Sequence, residues 1–296
     1  MKKILLFCCF LFILLLAGAE NNAIKPAQAK ELQLVITYPQ WKLKALSFSY
    51  DDANEADRKL VGIFNRYGVK ATFHIPALWL TTKPRKRIKM SELKTLYAGH
   101  EISGHGANHL RLTKLSADEV DREIKTDIEE WLKLSGKRIS GYAYPFGSFS
   151  PQVMQILKKN GLIYARTTRR SSSFDLPEDF LKWAANGHHI NNIDKLGEKY
   201  LAFTPQKMSV LLVWGHSYEF ARAKNWHIIE NFCKQMSGKK EIFYATMGEI
   251  AGYAAAAQKL SLENNGKVLK NNSDKTIFFK LKNRPFKLAP GGSLPL

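Results

Sequence analysis

Five titratable side chains in three short segments carry the chemistry of a metal-assisted hydrolysis. Ser49-Tyr50-Asp51-Asp52 offers adjacent carboxylates, His105-Gly106-Ala107-Asn108-His109 two imidazoles four residues apart, and Val213-Trp214-Gly215-His216 a lone histidine. A fourth segment, Tyr144-Pro145-Phe146-Gly147, has the Pro and Gly of a tight turn. Asp52, His105 and His109 would form a metal set that leaves coordination positions open for water and a substrate oxygen. Asp51, beside that set but free of it, could take a proton from the attacking water. His216 could return one to the leaving group.

Each piece alone has a plainer explanation. An Asp-Asp pair before a helix is a common capping signal. Two histidines four apart are often helix surface, although Gly104 and Gly106 argue for a loop or frayed turn here. The turn after Tyr144 could aim backbone N–H groups at an oxyanion, or simply join a strand to a loop. Trp214, next to His216, is the candidate pocket wall; Trp79, Trp183 and Trp226 read mainly as packing residues. His74 and the pair His188-His189 read as structural or exposed. The basic run Lys83, Arg85, Lys86, Arg87, Lys89 is most simply a solvated loop, with a substrate rim as the sharper alternative.

These residues need a scaffold that brings distant segments together. From Leu43 the chain alternates short apolar runs with helical patterns. Strands are expected over 43–50, 70–75, 139–144, 162–166, 209–214 and 242–245, with helices over 54–67, 116–134, 150–160, 223–236 and 248–260. Gly68 suits a left-handed cap, Ser116-Ala-Asp-Glu119 is a capping box, and Ser150-Pro151 pairs an N-cap with a first-turn proline. Alternation on this scale predicts parallel strands with crossover helices, as an α/β barrel or open sheet. Asp51, Tyr144 and His216 then fall at carboxyl ends of strands, where such folds place their active sites. Residues 20–39 read as a linker, 40–260 as the catalytic domain, and 261–296 as a small β-rich appendage. The last carries seven Lys/Arg against two Asp/Glu.

Composition narrows the class. In 296 residues, 45% hydrophobic content suffices for one large core. Lys2 and Lys3 followed by the apolar run 4–17 and Ala17-Gly18-Ala19 predict a signal peptide over 1–19, hence an exported, periplasmic or extracellular protein with no membrane span after cleavage. Only Cys233 then remains, which excludes an intramolecular disulfide. Loss of Lys2 and Lys3 takes the formal charge from +19 to +17. A charge of that size suits anionic glycans or other envelope polymers. No nucleic-acid motif accompanies it, so nucleic acid is not an expected partner.

Taken together, the motifs resemble those of the polysaccharide deacetylase family (the NodB-homology domain, carbohydrate esterase family 4). Gly99-His-Glu-Ile-Ser-Gly-His105-Gly-Ala-Asn-His109 is especially similar to that family's second motif, and the order of motifs matches from Leu43 to about Tyr253. The resemblance implies a distorted (β/α)7-type barrel and a divalent metal, usually zinc, with cobalt or nickel as alternatives. It also implies hydrolysis of N- or O-acetyl groups on an acetylated glycan. It assigns Asp51 as base, Asp52, His105 and His109 as metal ligands, Tyr144 as the oxyanion residue, and His216 as acid. Hydrolysis of a non-sugar C–N bond on the same fold and glycan binding without turnover are the rival readings.

Three departures bear on the chemistry. Ala53 stands where the family usually has Gly, Gly106 where it has Ser or Thr, and Ala143 where it often has an arginine that supports the base. Asp175 and Asp179 are candidates for that arginine's usual aspartate partner.

Overall fold

The computed structural model describes residues 23–83 and 85–296. The expected signal at 1–19 lies outside them, and among the described residues no helix is long and apolar enough to cross a membrane. Nine parallel strands form one sheet: β1 (Lys44–Asp51), β2 (Ala71–Ile75), β3 (Glu101–Gly104), β4 (Gly141–Ala143), β5 (Tyr164–Arg170), β6 (Trp183–Ala185), β7 (Gly187–His188), β8 (Ser209–Gly215) and β9 (Ile242–Tyr244). The order is β6-β5-β4-β3-β2-β1-β8-β7, with β9 also paired to the start of β1. This is the expected distorted barrel, nearly closed.

The closing stretch, Trp183 to His188, was not legible as strand because Asn186-Gly187 reads as a turn. Asn186 is instead the joint. Its N–H donates to the Leu212 carbonyl at 2.8 Å. Its side-chain Oδ1 accepts the Leu212 N–H at 2.8 Å, and its Nδ2 donates to the Ser173 carbonyl at 2.8 Å. A side-chain amide therefore replaces the ladder bonds lost where the chain passes from one edge of the sheet to the other. β3 was also missed, being four residues long with a charged start and two glycines nearby.

β1 is buried on both faces, as a central parallel strand should be. Leu46, Phe48 and Tyr50 join the apolar shell under the helices, and the alternation of a strand puts Ala45, Ser47, Ser49 and Asp51 on the other face. The expected N-caps form: Ser116 opens the helix Ala117–Ser135 through a full capping box, and the Ser150 hydroxyl accepts the Val153 N–H.

The termini correct one expectation. Residues 20–39 are not a plain linker: Pro26–Glu31 is helical, and Leu34–Thr37 is a strand paired with Ile277–Leu281, which pairs in turn with Arg284–Leu288. A second antiparallel sheet joins Leu260–Glu263, Val268–Asn271 and Ser293–Pro295. Leu34, Ile277, Phe279 and Leu288 share one apolar cluster with the barrel residues Ala45, Val210 and Leu212. The appendage and the N-terminal strand thus cover one side of the barrel core. Truncating the fully buried Phe279 in Phe279→Ala should cost about 3–5 kcal/mol in chemical denaturation of the whole chain; a cost within about 0.5 kcal/mol, the scale of surface substitutions, would show the sheet to be peripheral.

Candidate active site

Because the strands are parallel, β1, β3, β4 and β8 all release their following residues at the same end of the barrel. Asp51 ends β1, His105 follows β3, Tyr144 follows β4 and His216 follows β8. Asp52, His105 and His109 converge there, each offering a ligand atom within 4.8 Å of the others. His109 Nε2 and His105 Nε2 lie 3.7 and 3.8 Å from Asp52 Oδ1. Both spacings are under twice the roughly 2.0–2.2 Å bonds of zinc to imidazole and carboxylate, so one ion can touch all three.

The protonation states suit a cation. His105 donates from Nδ1 to the Ala143 carbonyl at 2.7 Å, which leaves the Nε2 lone pair facing the aspartates. Burial, reinforced by His105, pushes His109 down to about 3, so its ring is neutral. Oδ1 of Asp51 and Oδ1 of Asp52 are buried without a hydrogen-bond partner. Unmet buried carboxylate oxygens beside the neutral ring of His109 fit a bound divalent ion.

The loop carrying both histidines is shaped by two acids of the helix Ala117–Ser135. Asp127 Oδ2 accepts the Gly106 N–H at 2.9 Å, and its Oδ1 accepts the Ala77 N–H at 3.2 Å. Glu123 takes the Asn108 N–H at 2.6 Å and the Asn108 side chain at 2.9 Å. Gly106 sits at φ +78, where an added Cβ would lie 3.0 Å from Glu123 Oε1. The hydroxyl absent from this position is therefore replaced by buried carboxylates reaching the backbone. Four other residues of the site, Asp52, Ala53, His109 and Phe146, hold left-handed backbone at φ 80, 48, 60 and 57. Each costs about 1–2 kcal/mol in a residue with a Cβ, so the mouth of the barrel is the strained part of the fold.

Sequence reasoning missed Arg166. It stands on β5 at the register position of Ala143 on β4, one strand over from the place where the resemblance leads one to expect an arginine. Its Nη2 forms a very short ion pair with Asp51 Oδ2, its Nε donates to Ser49 Oγ at 2.9 Å, and its guanidinium lies 4.3 Å from the Trp214 ring centre. Arg166 and Asp51 are 1% and 3% exposed. Burial would raise the Asp51 pKa, but Arg166, then His105, His216 and His74, more than offset it and hold the carboxyl well below its ordinary range. An arginine on a buried strand was the available signal. Asp175 and Asp179 are corrected by this: the first pairs with Lys207 at 3.2 Å and the second caps the Leu181 N–H at 2.9 Å.

Glu219 was also missed. Its Oε1 accepts from His216 Nδ1 at 3.1 Å, while His188 and His189 approach its Oε2 at 3.2 and 2.9 Å. Burial opposes the charged form of His216, but Glu219, then Asp51 and Asp52, outweigh it and raise the histidine above its usual pKa. His188, His216 and Glu219 form a second group of ligand-type atoms within 4.8 Å, but here the carboxylate is engaged in orienting the ring of His216. His188 and His189 are therefore neither exposed nor free.

Two expected roles change. The Tyr144 N–H donates to the Arg166 carbonyl at 3.0 Å and its hydroxyl to the Leu181 carbonyl at 2.9 Å, so neither is available to an oxyanion. In the same turn Gly147 and Ser148 donate internally, which leaves the Phe146 N–H as the candidate donor. Trp214 gives one face to Arg166 and thereby supports the base, in place of serving simply as a pocket wall.

Residues 40–165 match the family model described as Polysaccharide deacetylase. A peptidoglycan deacetylase of Helicobacter pylori is 27% identical over 36% of this chain and 34% of its own length. A peptidoglycan-N-acetylmuramic acid deacetylase of Bacillus subtilis is 28% identical over 40% of this chain and 45% of its own. The chain thus matches less than half the length of these curated relatives. A Mycobacterium smegmatis structure described as a polysaccharide deacetylase superposes with a TM-score of 0.57 at 16% identity, over 75% of this chain and 93% of that one, which shows the shared fold.

Arg166→Met leaves Asp51 buried without its counter-charge, and in chelator-treated protein should cost about 3–5 kcal/mol of stability at neutral pH. Because the native pair depresses the Asp51 pKa, its stabilisation is present above the free value of 3.8 and is lost as pH falls. Denaturation curves should therefore show the deficit widest near pH 7 and narrowing below about pH 4, and a deficit independent of pH would contradict the pairing.

Proposed function

Because the chain belongs to the polysaccharide deacetylase family, we propose that it removes acetyl groups from an N- or O-acetylated carbohydrate of the cell envelope. Asp52, His105 and His109 are the residues to hold a divalent ion, with zinc the expected metal. When bound, the ion supplies Lewis acidity toward an acetyl carbonyl and makes nearby water more acidic. The observation that carries the reading is the meeting of this ligand set with Asp51, paired to Arg166, and His216, paired to Glu219, at one barrel mouth. The names of the two curated relatives support a cell-wall glycan as substrate.

The remaining chemistry falls to the chain's own groups. Asp51, kept ionised by Arg166, takes the proton of the attacking water. His216, kept protonated by Glu219, gives its Nε2 proton to the departing amine or alkoxide. His216 Nε2 lies 3.9 Å from Asp51 Oδ2, so acid and base face the same small space while their environments push them apart in pKa. The Phe146 N–H and the walls of the left-handed turns restrict where the carbonyl oxygen can lie.

The test is acetate release from a panel of acetylated glycans, with and without chelator. Release should cease with chelator, return with zinc, and fall at least about 100-fold in Asp51→Asn. No release from any glycan, with binding unaffected by chelator or Asp51→Asn, would instead identify a glycan-binding protein. A second experiment separates the acid. Since His216 must be protonated to act and Glu219 holds its pKa up, kcat/KM should decline on the alkaline side of a limb that shifts to lower pH in Glu219→Gln. An unmoved limb would reduce Glu219 to a packing residue.

A further inference from the structure

Although Lys83, Arg85, Lys86 and Lys89 are exposed and Arg87 is half-buried, the basic run at 83–89 is more than a solvated loop. Its backbone is stapled to the turn that follows the aspartate pair: Ile88 N–H donates to the Ala53 carbonyl at 3.0 Å and Glu55 N–H to the Lys86 carbonyl at 3.1 Å. This brings Arg87 over Trp79, its guanidinium 4.5 Å from the ring centre, and Trp79 lies 4.8 Å from the metal-ligating ring of His109. A second aromatic neighbour of His109, Phe146 at 4.6 Å and 55% exposed, carries the guanidinium of Arg111 at 4.5 Å. Two arginines thus stand one aromatic ring away from the same metal ligand.

Neither is neutralised. Arg58, Arg66 and Arg166 have carboxylate partners, whereas among the described residues Arg87 and Arg111 form no ion pair. Arg87 Nε and Trp79 Nε1 are buried donors without acceptors, an arrangement that costs free energy unless something meets them. Arg111, exposed and stacked on Phe146, keeps its donor fork open to take a carboxylate through two hydrogen bonds, and Arg87 adds a buried Nε that still lacks an acceptor.

We propose that the glycan deacetylated at this site is acidic, and that Arg87 and Arg111 bind a sugar carboxylate close to the acetyl group being removed. This deepens the deacetylase reading and rests on it. Each arginine stacks on a ring that itself packs on His109, so the carboxylate it binds belongs to the reacting sugar or its immediate neighbour.

The test uses an N-acetylated disaccharide with one free carboxylate and the methyl ester of the same compound. For wild-type holoenzyme, kcat/KM should be at least about tenfold higher for the acid, the scale of one charge-assisted hydrogen bond. Arg111→Gln, on an exposed side chain that is not needed for folding, should cut the acid-to-ester ratio several-fold, and Arg87→Gln should cut it further. Binding of the same two compounds to Asp51→Asn protein reads the ratio without turnover. No acetate release from either compound by wild type, with tenfold tighter binding of the acid retained, counts against the deacetylase reading while supporting the basic recess. Equal handling of acid and ester by wild type, in turnover or in binding, overturns the proposal.

Discussion

The site depends on a charge pair taken almost wholly out of water. Placing Asp51 and Arg166 in the barrel costs each its hydration, several kcal/mol per ion, and such a pair persists only if the remaining donors and faces are also satisfied. They are: Ser49 accepts the guanidinium Nε, and Trp214 lies under the guanidinium plane. This ties β1, β5 and β8 to one another by side chains as well as by the sheet. The same contact that makes burial of Asp51 tolerable favours its ionised form and leaves its second oxygen without a partner.

The acid is handled by the opposite device. Glu219 lies one helical turn beyond His216, on the short helix Ser217–Ala223, and its carboxylate holds the ring orientation and the proton together. Around these two centres the fold spends backbone strain freely. Left-handed residues at Asp52, Ala53, His109 and Phe146 all lie within the turns of the candidate site, and Asp127 and Glu123 fasten the histidine loop at Gly106 and Asn108. A chain free of that strain would be more stable, but its ligand atoms would not converge.

Much of this was legible beforehand. Apolar alternation located β1, β2 and β8, and the caps at Ser116 and Ser150 located two helices, because both signals are local. The candidate metal ligands were legible because Asp52 stands in a carboxylate pair and His105 and His109 are four residues apart. β3 was hidden because it is short, starts with a charge and lies among glycines, and Trp183–His188 because Asn186 joins its two pieces through bonds to the distant Leu212. Leu34–Thr37 was mistaken for linker because its partner strand lies more than 200 residues away.

By itself the sequence placed the alternation of strands and helices and the candidate groups Asp51, Asp52, His105, His109 and His216, for these follow from periodicity and from side-chain types within short windows. Only the tertiary structure decided what pairs with Asp51 and what orients His216. Ala143 appeared to leave Asp51 unsupported until strand register set Arg166 beside it. The basic run at 83–89 read as a solvated loop until the backbone at Lys86 and Ile88 was seen paired to the turn after the aspartate pair. Register and long-range backbone pairing come from how the whole sheet closes, and no local pattern of residues encodes them.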